Sequence, residues 1–458
     1  MNETKDLNCL TATEAIRAIG EGHISATEIT KACIRQIESL EPVIRAWACF
    51  DPEKALIQAR MVDEKIRSGK NTGILNGVPV GIKDIFNTVD MPTCMGSALW
   101  EGFTPGNDAR VVSYIRWADG IIAGKTNTAE FAVHYPSPTV NPHNHEYSPG
   151  TSSSGSAAAV ATCMVPAALG SQTAGSTIRP ASYCGIYGFK PSFGLIPRTG
   201  ILKTLDTLDH VTFFSRSVDD LHLMLDVLRV KGPNFPYVHK YIDLRKNAEH
   251  ADDRLWKVGF VKTPAWSYAE EYAKRAIVDF VSRLEQQEEI TVWSTDLPAE
   301  FDTAHDVHEL IYTKALSYYF AEEYDNGREK ISEIFCDMVE RGRTIGTPDY
   351  MAGLENQNRL TRRLDQFLDD YDILITLSTA GQAPRGLHGR DKKDSCLIWT
   401  LCHVPAINLP VFESPQGLPF GAQIISKRYR DYDLLDFTKY LEREGLLDSA
   451  AVWLNRFV

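Results

Sequence analysis

From Pro149 to Gly200 the chain is built mainly of Gly, Ser, Ala, Thr and Pro, and no other stretch constrains its fold as strongly. So few large side chains cannot make a core of their own. The stretch is also too rich in Ala and Val to be a linker, so its backbone must pack closely around something. Within it stand two Gly/Ser turns, Gly150-Thr-Ser-Ser-Ser-Gly-Ser-Ala-Ala-Ala-Val160 and Gly170-Ser-Gln-Thr-Ala-Gly-Ser-Thr-Ile-Arg-Pro180. About one helix and one strand separate them. Each sets serine hydroxyls beside backbone N–H groups.

Helices and strands alternate around this block. Thr11-Ala-Thr-Glu14 and Ser25-Ala-Thr-Glu28 are capping boxes that start N-terminal helices, and a further helical pattern covers residues 53–66. Short apolar runs at 78–82, 120–123, 256–261, 290–293, 373–376 and 421–426 read as strands. Ser217 caps a helix to residue 228, Ser267-Tyr-Ala-Glu270 boxes another to about 287, and roughly 304–368 is nearly all helical. This order predicts an α/β fold with a mainly parallel or mixed sheet, covered by helices on both faces. No repeat or linker divides the 458 residues, which read as one domain. Its parts are N-terminal helices (1–70), a core (75–220), a mostly helical variable region (230–370) and closing strands with a helix (371–458).

Forty-eight basic against 60 acidic residues give a net charge of −12, which disfavours direct phosphate-driven binding of nucleic acid. No run approaches the ~18 apolar residues of a membrane span. Met1 to Leu10 reads as neither a signal nor a transit peptide. Nine scattered cysteines, with no C-x-x-C pair, fit reduced thiols in a cytoplasmic chain and argue against a Cys-rich zinc site.

The two turns hold the ingredients of a serine nucleophile, a hydroxyl and N–H donors for an oxyanion, and equally those of two serine-capped turns. Neither has the Lys-Ser or Lys-Thr of a P-loop, nor reads G-x-G-x-x-G. No His stands in a triad spacing. Lys83, in Val80-Gly-Ile-Lys-Asp-Ile85, ends an apolar strand. It either snorkels to water or serves as a base. The second role needs burial, because a lysine with a pKa near 10.4 is almost wholly charged at pH 7.

Leu75-Asn-Gly-Val-Pro-Val-Gly-Ile-Lys-Asp84, Gly124-Lys-Thr-Asn127, Glu130-Phe-Ala132, the two serine turns and Cys184-Gly-Ile-Tyr-Gly-Phe-Lys-Pro191 together resemble the amidase signature family. The likeness is dense from 75 to 220. It is weaker at Asn408-Leu-Pro410 and Gly417-Leu-Pro-Phe-Gly-Ala-Gln423, which resemble the family's closing strands. The resemblance implies the amidase signature fold and hydrolysis of a carboxamide through an acyl-enzyme. It implies Ser176 as nucleophile and Lys83 as base. Ser152, 24 residues before Ser176, would be the relay serine after a cis peptide bond, with Ser153 the neighbouring alternative. The amides of Thr173, Ala174, Gly175 and Ser176 would form the oxyanion hole. Lys125 and Lys190 are expected to be structural.

The chain departs from the family pattern at Thr151 and Ala174, where glycine is commoner, and at Gln172, where Asp is commoner. The resemblance calls for no cofactor or metal. It implies a small-molecule amide as partner, without nucleic acid or membrane, and leaves a homodimer open. Two rivals stand beside hydrolysis. One is the A-type subunit of a glutamine-dependent tRNA amidotransferase, against which counts the short spacing of eight residues, Val133 to Val140. The other is a non-catalytic binding protein on the same scaffold.

The other candidates carry less chemistry. His305-x-x-His308-Glu309 could place two metal ligands on a helix face, but no third ligand is evident. His143 and His145 belong to the loop before the relay serine. His134 and Tyr135 line a pocket or fill the core. Trp399 and Tyr318-Tyr319-Phe320 are pocket walls or aromatic core.

Overall fold

The computed structural model describes residues 6–231, 242, 254–389 and 391–457. Residues 1–5, on which part of the N-terminal reading rests, lie outside it, as do 232–241 and 243–253 of the variable region. Eleven strands form one mixed sheet: β1 (Trp47–Phe50), β2 (Pro79–Lys83), β3 (Ile121–Thr126), β4 (Ala167–Gln172), β5 (Tyr187–Lys190), β6 (His210–Ser215), β7 (Trp256–Lys262), β8 (Ile290–Asp296), β9 (Ile373–Leu377), β10 (Ala406–Glu413) and β11 (Pro419–Ile425). Their order is β1-β3-β2-β4-β6-β5-β10-β11-β9-β7-β8. β2 runs parallel to β3 and β4, and β7 parallel to β8 and β9. The central strands β4 to β11 pair antiparallel.

Both faces are covered, and the period-2 alternation along the strands shows it. Ile122, Ala167, Leu169, Phe213, Ile375 and Ile407 enter one core, with helices Arg110–Trp117 and Val218–Leu228. Their neighbours Ala123, Ala168 and Phe214 point the other way, into a core with the Ala-rich helix Ser154–Ala161. Further along the same sheet, Leu374 and Ala406 join a third core with the helices between residues 304 and 367.

Both capping boxes form as expected, with Thr11 and Ser25 accepting from the N–H of Glu14 and Glu28. One expectation is corrected. Ser267 lies in a 3₁₀ turn, Pro264–Tyr268, and the helix starts later, at Glu271, without a side-chain cap. Strand β4 is the strand expected between the two serine turns, whereas β5 and β6 carry no apolar run that reads as a strand.

The small-residue block owes its composition to close contacts. Gly150 has φ +86°, and a Cβ there would lie 2.9 Å from the Cα of Pro180. A Cβ on Gly155 would run into the backbone of Ala46 and Asn127. No described helix is long and apolar enough to cross a membrane.

Candidate active site

Because β2 and β4 are parallel neighbours, with Ile82 opposite Leu169, Lys83 and Ser171 leave the sheet at the same edge. There the wholly buried Lys83 Nζ lies 2.7 Å from Ser152 Oγ, 2.9 Å from Ser153 Oγ and 2.8 Å from Ser171 Oγ. Among the described residues it has no carboxylate in ion-pair reach. Burial pushes its ammonium well below the usual lysine range, and the charge of Asp209 acts in the opposite direction.

Ser152 and Ser153 come from the turn before helix Ser154–Ala161, and the Thr151–Ser152 peptide bond is cis. The Ser153 hydroxyl donates to the Ser171 carbonyl at 3.2 Å and accepts from the Ser171 N–H at 3.3 Å. It therefore ties the two serine turns together.

Ser176 stands in the loop between β4 and helix Ile178–Cys184, half-buried. Among the described residues its hydroxyl makes no hydrogen bond, so the Ser152 hydroxyl is joined to Lys83 and not to Ser176. The N–H groups of Thr173, Ala174, Gly175 and Ser176 likewise donate to no protein acceptor among the described residues. Four consecutive uncommitted backbone donors thus stand at and before Ser176.

Three anchors hold this loop. Gln172 Oε1 accepts from the N–H of Thr177 (2.9 Å) and Ile178 (3.0 Å). Its Nε2 donates to Thr400 Oγ1 at 3.0 Å, and Thr400 donates to the Ala174 carbonyl at 2.8 Å. A carboxylate could not make that donation, so the Gln at this position contributes a bond of its own. Thr173 Oγ1 donates to the buried Asp209 at 2.7 Å, and His308 Nε2 donates to the Thr173 carbonyl at 2.9 Å. Asp209 also supplies the negative charge near Lys83 that Gln172 lacks.

The other candidate residues occupy different surroundings. His305 turns to the Asp394 carbonyl at 3.0 Å and His308 to Thr173, so the two imidazoles serve separate backbone groups. Burial pushes His308 down to about 4. His143 meets the Cys184 carbonyl at 2.8 Å, and His145 is exposed. His134 and Tyr135 are exposed rather than core, and Tyr135 lies edge-on to His388 at 5.6 Å. Trp399 is wholly buried in the aromatic-aliphatic core, the second of its two readings. Phe320 packs against Phe131 and Phe335, whereas Tyr318 is exposed.

Lys125 pairs with Asp84 at 3.1 Å and donates to Thr93 at 2.7 Å. Lys190 donates to the Val404 carbonyl, and burial lowers it to about 7. Sequence reasoning missed Ser171, Asp209, Thr400 and the anchoring role of His308. Only Ser171, inside the second turn, had a local signal.

The eleven-stranded sheet and the buried lysine among serines at its edge define an α/β protein of the amidase signature class. The Amidase family profile matches residues 28–435, and the chain belongs to that family. It is 30% identical over 443 residues to a putative amidase AmiD of Mycobacterium tuberculosis, covering 93% of this chain and 92% of the relative. It is also 30% identical over 472 residues to the A-type subunit of the glutamyl-tRNA(Gln) amidotransferase of Endomicrobium trichonymphae, covering 93% and 94%. Among solved structures, the native peptide amidase of Stenotrophomonas maltophilia shares the fold at TM-score 0.81 and 23% identity, over 94% of this chain and 96% of that one. A bacterial aryl acylamidase does so at 0.83 and 20%, over 98% and 99%.

Proposed function

We propose that this chain hydrolyses a carboxamide through an acyl-enzyme on Ser176, with Lys83 as base and Ser152 as relay. The observation that carries the reading is the buried Lys83 at 2.7 Å from Ser152, below a loop of uncommitted N–H groups that ends in Ser176. With its amine neutral, Lys83 has two N–H groups and one lone pair. The N–H groups suit Ser153 and Ser171, and the lone pair accepts from Ser152. Ser153 spends its own proton on the Ser171 carbonyl, which favours Ser152 over Ser153 as relay.

As Ser176 Oγ attacks the carbonyl carbon, its proton moves to Ser152 and the Ser152 proton to Lys83. The amides of Thr173, Ala174, Gly175 and Ser176 hold the oxyanion. Collapse breaks the C–N bond, and the proton returns through Ser152 to the leaving nitrogen. Water then attacks the acyl group by the same route and releases the acid. The substrate is a small amide, and the thiols suit a cytoplasmic setting, since no disulfide forms among the described residues.

Mutation of Ser176 to Ala tests the reading. Ammonia release should fall by roughly 10⁴–10⁶ with the melting temperature unchanged, because the hydroxyl has no partner to lose. Retention of a substantial fraction of kcat would remove Ser176 as nucleophile. The A-type amidotransferase subunit is the second reading, favoured by relatives of that name matched along almost their whole length. It predicts that the chain alone is inactive on amides and gains activity only with partner subunits and tRNA.

A further inference from the structure

Arg179 follows Ser176 by three residues, in the first turn of helix Ile178–Cys184, and its N–H donates to the Gly175 carbonyl at 3.0 Å. Its side chain folds back over the same residue. A Cβ built on Gly175 would lie 2.9 Å from Arg179 Nη2 and 3.1 Å from Cζ. The guanidinium thus covers the middle of the loop whose N–H groups are uncommitted, next to Ser176.

Two of its three nitrogens are spent. Nε donates to Asp394 at 2.9 Å, and Nη1 pairs with Asp391 at 3.3 Å. Those carboxylates are fixed in turn, Asp391 accepting from the Tyr183 hydroxyl at 3.0 Å and Asp394 from the Cys396 N–H at 3.0 Å. Nη2 makes no hydrogen bond among the described residues. The side chain keeps 14% exposure, and its charge helps to lower His134.

We propose that Arg179 is a specificity-determining residue whose Nη2 donates to a second, uncharged carbonyl oxygen carried by the substrate close to the scissile amide. This rests on Ser176 being the nucleophile. A guanidinium can only donate, so its partner is an acceptor. Two carboxylates already outweigh its single positive charge, so a substrate carboxylate gains nothing there and a neutral carbonyl is preferred. The substrate class is therefore a diamide, ureide or peptide-like amide rather than a simple alkyl amide or an amide acid. A hydrogen bond to a charged donor is worth about ten- to a hundredfold in kcat/KM.

The test measures ammonia release by the full chain from malonamide and succinamide, against butyramide and succinamate. The better diamide should exceed both comparison amides by at least about tenfold. Removing the charge would leave two buried carboxylates unpaired, so the variant of choice is R179K, which keeps the charge without the planar fork. In R179K the preference should shrink to within about threefold, while phenylmethylsulfonyl fluoride still modifies Ser176. A wild type with no preference, one that turns over no diamide although Ser176 is sulfonylated, or a preference unchanged in R179K would each overturn the role of Arg179. Failure of wild-type Ser176 to take the sulfonyl group would instead overturn the nucleophile, and this proposal with it.

Discussion

Replacing Lys83 with methionine should uncouple stability from activity, and the uncoupling should depend on pH in a calculable way. The side chain is wholly buried, and burial holds its amine well below the usual lysine range. Below pH ~10.4 the unfolded chain therefore binds a proton that the folded chain does not. With more protons on the unfolded state, stability rises with pH, by about 1.4 kcal/mol per unit, from the lowered folded value up to ~10.4. A lysine held fully neutral at pH 7 costs the fold about 4–5 kcal/mol. Methionine is of similar size and removes that cost. It also removes three contacts to serine hydroxyls, at about 0.5–1.5 kcal/mol each. At pH 7 the two effects oppose each other, so the variant should stay within about 4 kcal/mol of the wild type. Between pH 7 and 9 the wild type should gain stability that the variant does not, at no more than about 1.4 kcal/mol per unit. Lys125 and Lys190 are present in both and cancel from the difference. Urea unfolding followed by tryptophan fluorescence at pH 7, 8 and 9 gives the comparison, and amide hydrolysis should be lost at all three. A stability difference independent of pH would show that Lys83 is charged in the fold and would refute its use as a neutral base.

Two further outcomes are expected. Gln172→Leu orphans the buried N–H groups of Thr177 and Ile178, and at about 1–3 kcal/mol each the fold should lose roughly 2–6 kcal/mol in urea unfolding. Gln172→Glu keeps the acceptor and should lose less. Asp209→Asn removes a charge that favours the ammonium form of Lys83, so the acid limb of kcat/KM against pH should move to lower pH. A limb that stays or rises would show that Asp209 acts only through its bond to Thr173.

Whatever depends on near neighbours is legible along the chain. The capping boxes at Thr11 and Ser25 form because their partners stand three residues away, and the long helices past residue 304 declare their own period. The motifs around Lys83 and the two serine turns determined the family, and the glycines among them are needed where backbone meets backbone, as Gly150 meets Pro180. Ser267 shows the limit of such signals, since a correct box pattern yields to a 3₁₀ turn when the chain packs differently. Which groups meet at the ends of the strands follows instead from long-range pairing. Parallel pairing of β2 with β4 brings Ser171 to Lys83 across 88 positions, and the closing helix Cys396–Leu401 brings Thr400 to Gln172 across 228. Strands buried on both faces lose the alternation that marks a half-buried strand, and β5 and β6 offer no apolar run in its place. The environment that lowers Lys83, and the two carboxylates that hold Arg179 over Gly175, arise from burial and long-range pairing, which no local pattern encodes.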